Sequence, residues 1–586
     1  PLFHAMFQLI GPAGAYVSAR GLREPRPIDV NGSGAYRCGD GRYVQFDPSS
    51  YRFLPWFAEA AGVSHWGPEL LDEIQLRNPE NNRRLHAKLA ELFLTRSAAE
   101  WEELGRRAGA ALAFVRKPSE WIATEHARAS GAAVQVADPE LGPTWMPGFP
   151  VHATATPAAV RHPRHPPDAD RAAILAELDS LSPTTVGDRA LRSPCPTAVG
   201  EGRVTAAGEE TELVSALQGI RVLDLCQVLA GPTGGRLLGE FGAEVVKVYA
   251  PHSRIGGHGY LNRGKRSLLV DVQSRDGLQV LWKLVERADV LLQNFPHGAA
   301  ERYGIGYNQV KARKPDIIYS WLSCYGPGPW AGGRGYERQG QAVTGIEDRV
   351  GDPPSILGPY NLVDIGTGCL EAFAVGLGLY HRLRTGQGQE VQTSLAHTAT
   401  YHQGPFFLSY EGKVWDEPRG WETLGTGPLQ RFYRAQDRWF FLGARPIDAA
   451  RLAEALGLPD LAGRQGSSLE PALESAFCSR PAADCVALLT QAGIAAQAVV
   501  GKAELMQEPW ARASGLSLTQ VASEVGEVVM PGVPVRLSRT PMRPGHAAGR
   551  PGGDAESILA ELGLADQIPA LERAWALQTQ DLPPAW

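Results

Sequence analysis

At 586 residues the chain is too long for one ordinary domain, and roughly three to four domain-sized pieces are expected. Its composition, 44% hydrophobic and 20% charged, is that of a globular protein with material for large cores. A formal net charge of −6 lacks the basic surplus of a general nucleic-acid binder, yet leaves room for a small basic pocket for a phosphorylated ligand.

The seven cysteines form no CxxC pair and no zinc-type Cys/His spacing. No metal site is therefore expected, and a reduced, cytoplasmic setting is the simplest expectation. The apolar start, through Val17, has no basic leading region and is interrupted by His4, Gly11 and Gly14, so neither a signal peptide nor a membrane span is expected. The missing initiator Met suggests a fragment or a processed chain.

The N-terminal stretch, 1–180, is best understood through an internal repeat. Ala127-Arg128-Ala129-Ser130-Gly131 returns, at an offset of 384, as Ala511-Arg512-Ala513-Ser514-Gly515. Met146-Pro147-Gly148 returns as Met530-Pro531-Gly532, and Ile174-Leu175-Ala176-Glu177-Leu178 as Ile558-Leu559-Ala560-Glu561-Leu562, at the same offset. Tyr36-Arg37 with Asp40 matches Tyr433-Arg434 with Asp437 at an offset of 397. Residues 1–180 thus read as the back half of a unit that is complete over about 216–565, one and a half units in all. Within this half, Arg42-Tyr43-Val44-Gln45-Phe46 reads as a strand, core rather than binding platform.

From His152 to Glu212 the chain is rich in Ala, Pro, Arg and Thr and reads as a solvated linker, its narrowest part 181–215. A helix at about 172–181 is the one ordered piece expected there. A metal or anion site at His162, His165 and their neighbouring arginines is the less economical reading.

The large domain, 216–400, opens with a buried strand at Gly219 to Leu225, a helix entered through Gly231-Pro232-Thr233, and a second strand at Glu244 to Val248. Strand, glycine turn, helix, strand is a βαβ unit, which predicts a parallel sheet with ligand at the strand C-termini. Further βα patterns follow, Ser267 to Val272 with a helix near 278–287, and Val290 to Gln293 with a helix at 299–303. A nicotinamide site is excluded in its usual form: G-x-G-x-x-G is absent, and Tyr249 stands where a ribose-binding acid belongs.

A small domain, 401–535, follows, with a strand at Arg438 to Leu442 and helices from Leu452, Leu473 and Ala483. A return segment and tail occupy 536–586.

Val222-Leu223-Asp224, Ala230-Gly231-Pro232, Gly242-Ala243-Glu244-Val245, Gly264-Lys265-Arg266-Ser267, Asn294-Phe295 and Thr385-Gly386-Gln387-Gly388-Gln389 stand in order. That ordered set resembles the class III CoA-transferases, the CaiB/BaiF-type group of formyl-CoA and carnitine CoA-transferases that also holds α-methylacyl-CoA racemases. The resemblance covers 216–565, and its back-half part covers 1–180. It implies an α/β fold, with a Rossmann-like parallel-sheet large domain and a smaller α+β domain, in chains that interlock as homodimers. In a fused two-unit member, one chain would form both links as an intramolecular pseudo-dimer.

The same resemblance implies transfer of coenzyme A from an acyl-CoA to a carboxylic acid through a carboxylate nucleophile, which divides a hard step into easier ones. The matching residue is Asp364, opening a long helix. Its small neighbours Gly366 and Gly368 are expected to leave room for a pantetheine thiol, and the helix dipole to keep it ionised. A plain helix N-cap is the structural alternative. Tyr336 and Glu337 are expected to position and tune the site, and Tyr336 in place of a His base disfavours racemisation. Leu229, Ala230, Gly231, Lys265, Arg266, Asn294, Phe295, Arg302 and Arg334 are the expected CoA contacts. No cofactor is expected beyond the CoA thioester as substrate, and neither nucleic acid nor membrane as partner. A mobile glycine loop over the site is matched weakly by Gly425-Thr426-Gly427-Pro428. Lyase, hydratase or isomerase chemistry on the same thioester is one alternative. A catalytically silent partner of an interlocked assembly is another.

Overall fold

The computed structural model describes residues 16–18, 21–23, 32–48, 52–180, 213–253, 258–357, 361–464 and 466–585. Most of the expected linker, 181–212, and the apolar start, 1–15, lie outside them.

The centre of the molecule is an eight-stranded sheet. In spatial order its strands are Leu577–Gln578, Arg266–Val270, Glu244–Tyr249, Arg221–Asp224, Val290–Gln293, Ile318–Ser323, Gln389–Ser394 and Val151–Ala153. The six inner strands are parallel and the two edges antiparallel. Numbered along the chain, the parallel strands run 3-2-1-4-5-6, so the order reverses between Arg221–Asp224 and Val290–Gln293. A crevice opens at such a reversal, beyond the strand carboxyl ends. These strands are apolar runs buried on both faces, with Leu223, Leu268, Val290, Leu291, Leu292 and Ile318 almost wholly covered.

Helices cover both faces. Ser274 caps the helix Arg275–Arg287 by accepting the Gly277 N–H at 3.0 Å. The long helix Leu362–Thr385 lies against the helix Ala230–Glu240, and glycines permit the approach. A Cβ on Gly368 would stand 2.4 Å from the Ala230 carbonyl oxygen, and one on Gly234 would meet the Glu371 carboxylate at 2.3 Å. Leu362–Thr385 is long and apolar enough to cross a membrane, but its first and middle turns are core, with Val363, Ile365, Ala374 and Val375 buried.

The N-terminal stretch folds onto this sheet and its helices. Val151–Ala153 extends its sheet by pairing with Val391 to Thr393, so His152 and Ala153 are strand rather than linker. Trp121 donates its indole N–H to Thr400 Oγ1 at 2.8 Å, and His126 Nε2 meets the Tyr325 carbonyl at 2.9 Å. One apolar cluster joins Trp121, Ile122 and Ala133 to Leu322, Leu395 and Phe407. Arg164, within the expected linker, pairs with Asp138 at 2.6 Å. The helix Arg171–Ser180 falls where the spacing predicts it.

Matching segments take matching form. The hairpins Ala133–Asp138/Gly142–Pro147 and Ser517–Ala522/Gly526–Pro531 pair in equivalent registers, Ala133↔Pro147 against Ser517↔Pro531. Gly148 and Gly532 each follow their hairpin so closely that a Cβ would lie 1.9 and 2.0 Å from a carbonyl oxygen, of Gly131 and Gly515. The sheet Gly34–Arg37, Tyr43–Phe46, Leu112–Phe114 has the strand order of Gln430–Arg434, Trp439–Gly443, Ala495–Ala498. Each carries its own core, around Phe46, Phe57, Phe93 and Trp101 in one, and Tyr433, Phe440 and Phe477 in the other.

Candidate active site

A cleft of about 350 Å³ lies at the reversal of strand order. Its lining follows from the topology. Leu225, Gln227, Val228, Leu229 and Ala230 continue the first strand, and Asn294, Phe295, Pro296 and His297 the fourth. Val248 to Ala250, Val270 to Gln273 and Leu322 to Cys324 come from the ends of the second, third and fifth. Arg334, Tyr336 and Asp364 close one side, and Phe53 reaches in from the N-terminal stretch.

Asp364 and Glu337 stand side by side. Glu337 Oε2 accepts the Asp364 N–H at 2.6 Å and Oε1 the Val363 N–H at 3.0 Å, which satisfies two amides in the first turn of the long helix. Gln341 Nε2 donates to the same carboxylate at 2.7 Å. The helix N-cap position is Asn361, so Asp364 lies inside the first turn, and the capping work is done by Glu337 from another helix. The N-cap alternative for Asp364 is therefore not what the geometry shows.

Both carboxyls are buried, Asp364 with 7% of its surface exposed. Burial pushes Asp364 well above the usual carboxylate range, and the adjacent Glu337 and Asp47 charges add to it. Burial likewise raises Glu337 to about 7, against its three hydrogen bonds, which favour the ionised form. The expectation that the helix dipole keeps Asp364 ionised meets two opposing effects, desolvation and the like charge of Glu337, and these raise its pKa. The expectation for Gly366 and Gly368 is corrected. Neither leaves open space beside Asp364, since a Cβ on Gly366 would meet His402 Cε1 at 2.4 Å and Gly368 serves the helix contact.

Of the expected CoA contacts, Leu229, Ala230, Asn294, Phe295 and Arg334 line the cleft, and Arg302 lines an adjoining cavity. Asn294 spends its amide on the Gln227 backbone, accepting the N–H at 2.9 Å and donating to the carbonyl at 2.8 Å. That clasp holds the turn in which Val228 adopts φ 69°, a left-handed conformation costly for a β-branched residue. Gly231 sits behind the lining, where a Cβ would stand 2.4 Å from Cys226 Sγ.

Lys265 and Arg266 are placed elsewhere, a correction with one cause. They lie at the amino end of the third strand, whereas a parallel sheet presents its carboxyl ends to the cleft. Lys265 is wholly buried and pairs with Asp224 at 2.8 Å, and the equally buried Lys247 pairs with the same carboxylate at 3.0 Å. Burial beside that second cation lowers Lys265 to about 8, despite the attraction of Asp224. Arg266 pairs at the surface with Glu561 at 2.7 Å. Gly425–Gly427 is a short strand paired with Gln430 and Arg431, and it is absent from the cleft lining.

Sequence reasoning misses Phe53, which lies far upstream of Asp364 in the chain, and the turn residues Gln227 and Val228. It marks Tyr249 only as a residue standing where a ribose-binding acid is lacking. Tyr249 lines the cleft, and its hydroxyl lies 3.2 Å from His258 Nδ1 and accepts from Asn262 at 3.1 Å. Among the described residues no cluster of His, Cys, Asp and Glu is arranged to hold a metal ion.

Comparison with known proteins accords with this arrangement. The model of "CoA-transferase family III" matches residues 2–171 and 217–555. The chain is 29% identical over 384 residues to the CoA-transferase/lyase DddD of Marinomonas sp. (strain MWYL1), covering 63% of this chain but only 44% of that relative. It is 27% identical to the formyl-CoA:oxalate CoA-transferase of Streptomyces coelicolor, covering 60% of this chain and 96% of the relative. An α-methylacyl-CoA racemase of Mus musculus is 33% identical over 272 residues, 44% of this chain and 70% of the racemase. Among solved structures, a CAIB/BAIF family protein from Brucella suis superimposes with a TM-score of 0.53 at 25% identity, covering 59% of this chain and 99% of its own. With a family model matched over residues 2–171 and 217–555, most of its length, the chain belongs to CoA-transferase family III.

Proposed function

We propose that the chain transfers coenzyme A from an acyl-CoA to a free carboxylic acid, with Asp364 as the carboxylate that carries the CoA thioester. The observation that carries this reading is a buried, paired carboxylate at the floor of a cleft built on strand carboxyl ends. The Asp364 carboxylate attacks the acyl-CoA carbonyl and CoA thiolate leaves, giving a mixed anhydride. The thiolate attacks the aspartyl carbonyl of that anhydride and expels the donor carboxylate, leaving aspartyl-CoA. An acceptor carboxylate then attacks the aspartyl-CoA carbonyl and CoA thiolate leaves, giving a second mixed anhydride, and the thiolate attacks the acceptor-derived carbonyl of that anhydride, forming the acceptor's CoA thioester and expelling the Asp364 carboxylate.

Charge on the carboxylate is needed only at the moment of attack. A raised pKa makes Asp364 a stronger nucleophile once ionised, and a bound substrate that displaces water and brings its own dipoles alters the balance. Glu337 holds the helix turn that positions Asp364, and its own charge tunes the nucleophile. We further infer that residues 1–180 are a back-half unit and that they complete the cleft of the second unit within one chain, Phe53 being their contribution to its lining.

A lyase reading keeps the same site, and the DddD relative, named as both transferase and lyase, favours it specifically. The test is product analysis with a panel of acyl-CoA donors and free carboxylates. Label from an isotopically marked acceptor should enter a new CoA thioester. An unsaturated or hydrated product with no labelled thioester would reject transfer in favour of the lyase reading.

A further inference from the structure

The two matching small sheets differ at one position. In the N-terminal sheet the strand Tyr43–Phe46 runs on into Asp47, whose N–H donates to the Ala111 carbonyl at 2.9 Å. In the later sheet Gly443 stands at that place, opposite Ala495, as the equivalent pairings Phe46↔Leu112 and Leu442↔Ala496 show. A carboxylate here is therefore not something the sheet needs in order to form. Asp47 is buried all the same, and a buried charge is costly unless it is paired.

The partner comes from the helix Glu337–Thr344, which lies against the N-terminal sheet. Arg338, the residue after Glu337, faces Asp47 at 3.8 Å and donates to Ser33 Oγ. Gln339 Nε2 reaches the Gln45 and Ala111 carbonyls, each at 3.4 Å, while its Oε1 accepts the Tyr336 N–H at 3.0 Å. The Arg116 N–H donates to the Ala342 carbonyl at 3.0 Å. One helix thus grips the N-terminal stretch through Arg338 and Gln339, and holds the first turn of the long helix through Glu337. Asp47 is thereby brought close enough for its charge to act on Asp364. Glu347, wholly buried on the next helix, Ile346–Val350, feels Arg338, Asp47 and Glu337 together.

Carboxylates gathered where water is scarce disfavour one another's ionisation. We propose that Asp47, held by Arg338, is a positioning residue that the N-terminal stretch supplies to the Asp364–Glu337 pair, its negative charge governing when Asp364 becomes a nucleophile. This rests on the CoA-transfer reading and deepens it: the N-terminal stretch then contributes charge to the reaction as well as Phe53 to the lining. Other ionisable groups also face Asp364. Glu337 and Tyr336 come from the neighbouring helix start, Cys324 from the end of the fifth strand, and Arg334 from the cleft wall. Tyr260, beside Arg236, lies on the helix His258–Leu261, and His402 stands beyond Gly366. Burial pushes the Tyr260 phenol and the Cys324 thiol up, which keeps both neutral while the carboxyls titrate.

The test is infrared titration of the whole chain labelled with carbon-13 aspartate, the protonated Asp364 band being identified by its loss in Asp364→Asn. Variants are Asp47→Asn, which is nearly isosteric, Asp47→Gly, which copies the later sheet, and Asp47→Glu, which keeps the charge. Removing a negative charge beside Asp364 favours its ionised form, so the midpoint of its band moves toward acid. A displacement of about half a pH unit or more is expected in Asp47→Asn and Asp47→Gly, with Asp47→Glu near wild type. Thermal melts confirm that each variant is folded at the temperature of the titration. A purely structural Arg338–Asp47 pair would lower the melting temperature and leave the midpoint in place, and that result in folded variants overturns the proposal. Equal displacement in all three variants, Asp47→Glu included, assigns the effect to packing and overturns it too. A midpoint that moves as expected, in a chain forming no hydroxylamine-labile adduct with acetyl-CoA, formyl-CoA or succinyl-CoA, keeps the Asp47 effect and rejects the CoA-transfer reading.

Discussion

The Glu337 carboxylate accepts the backbone N–H of Asp364 at 2.6 Å, so the residue that holds the helix turn of Asp364 is also the nearest charge raising the pKa of Asp364. Position and reactivity of Asp364 are thereby set by one neighbour, and the two effects can be separated experimentally.

Glu337→Gln keeps an acceptor oxygen for one helix amide but removes the charge. Since the Glu337 charge raises Asp364, its loss should move the rising limb of the kcat/KM–pH profile toward acid. The same change should alter stability. Native Glu337 keeps its proton up to about pH 7, whereas in the unfolded chain it ionises near 4.5. Across that window the native state binds more protons, so this group makes wild-type stability fall as pH rises. Denaturant melts from pH 4 to 8 should show a shallower decline in the variant. An unmoved profile with an unchanged decline would mean that the Glu337 charge does not reach Asp364.

Lys265→Met should damage the fold rather than the binding of CoA. It leaves Asp224 with Lys247 as its remaining cation in a site where all three are wholly buried. Removing one member of such a group typically costs about 3–5 kcal/mol. Urea unfolding should register that loss, and KM for acyl-CoA in the folded protein should stay near wild type. A selective rise in KM with normal stability would restore Lys265 as a ligand contact.

Two glycines of the long helix should respond oppositely to alanine. At Gly368 the new Cβ would stand 2.4 Å from a backbone carbonyl, and overpacking of this kind costs about 1–3 kcal/mol. At Gly376 nothing lies within 4 Å, so alanine should stabilise the helix by up to about 1 kcal/mol. Thermal melts of the pair check this, and equal responses would contradict the helix contact.

The strands and helices of the central sheet region are legible because apolar runs and glycine turns are local signals. Arg221–Asp224, Glu244–Tyr249 and Val290–Gln293 fall close to their predicted bounds. The hairpin strand Gly526–Pro531 and its counterpart Gly142–Pro147 are foreshadowed by the shared Met-Pro-Gly, although sequence shows no register until each is paired with its neighbour. Site residues fare less evenly. Asp364, Asn294 and Phe295 follow their own strand or open their own helix, so position along the chain locates them. Lys265 and Arg266 are misplaced because charge in a sequence does not say which end of a strand it marks. Phe53 is invisible for a different reason: it meets the cleft through tertiary packing, and nothing in its local pattern points to Asp364. The carboxylates' raised pKa also escapes the sequence, because the helix dipole is a local effect while desolvation depends on everything packed around the site.

The account's central claim is tested most directly by intact-protein mass after incubation with a panel of acyl-CoA donors, with and without hydroxylamine, for wild type and Asp364→Ala. The account predicts a CoA-sized, hydroxylamine-labile adduct on wild type, none on Asp364→Ala, and a fall in transfer of roughly three orders of magnitude or more in that variant. A wild-type chain that binds acyl-CoA and turns it over with no adduct, or an Asp364→Ala variant that retains both adduct and turnover, would contradict it.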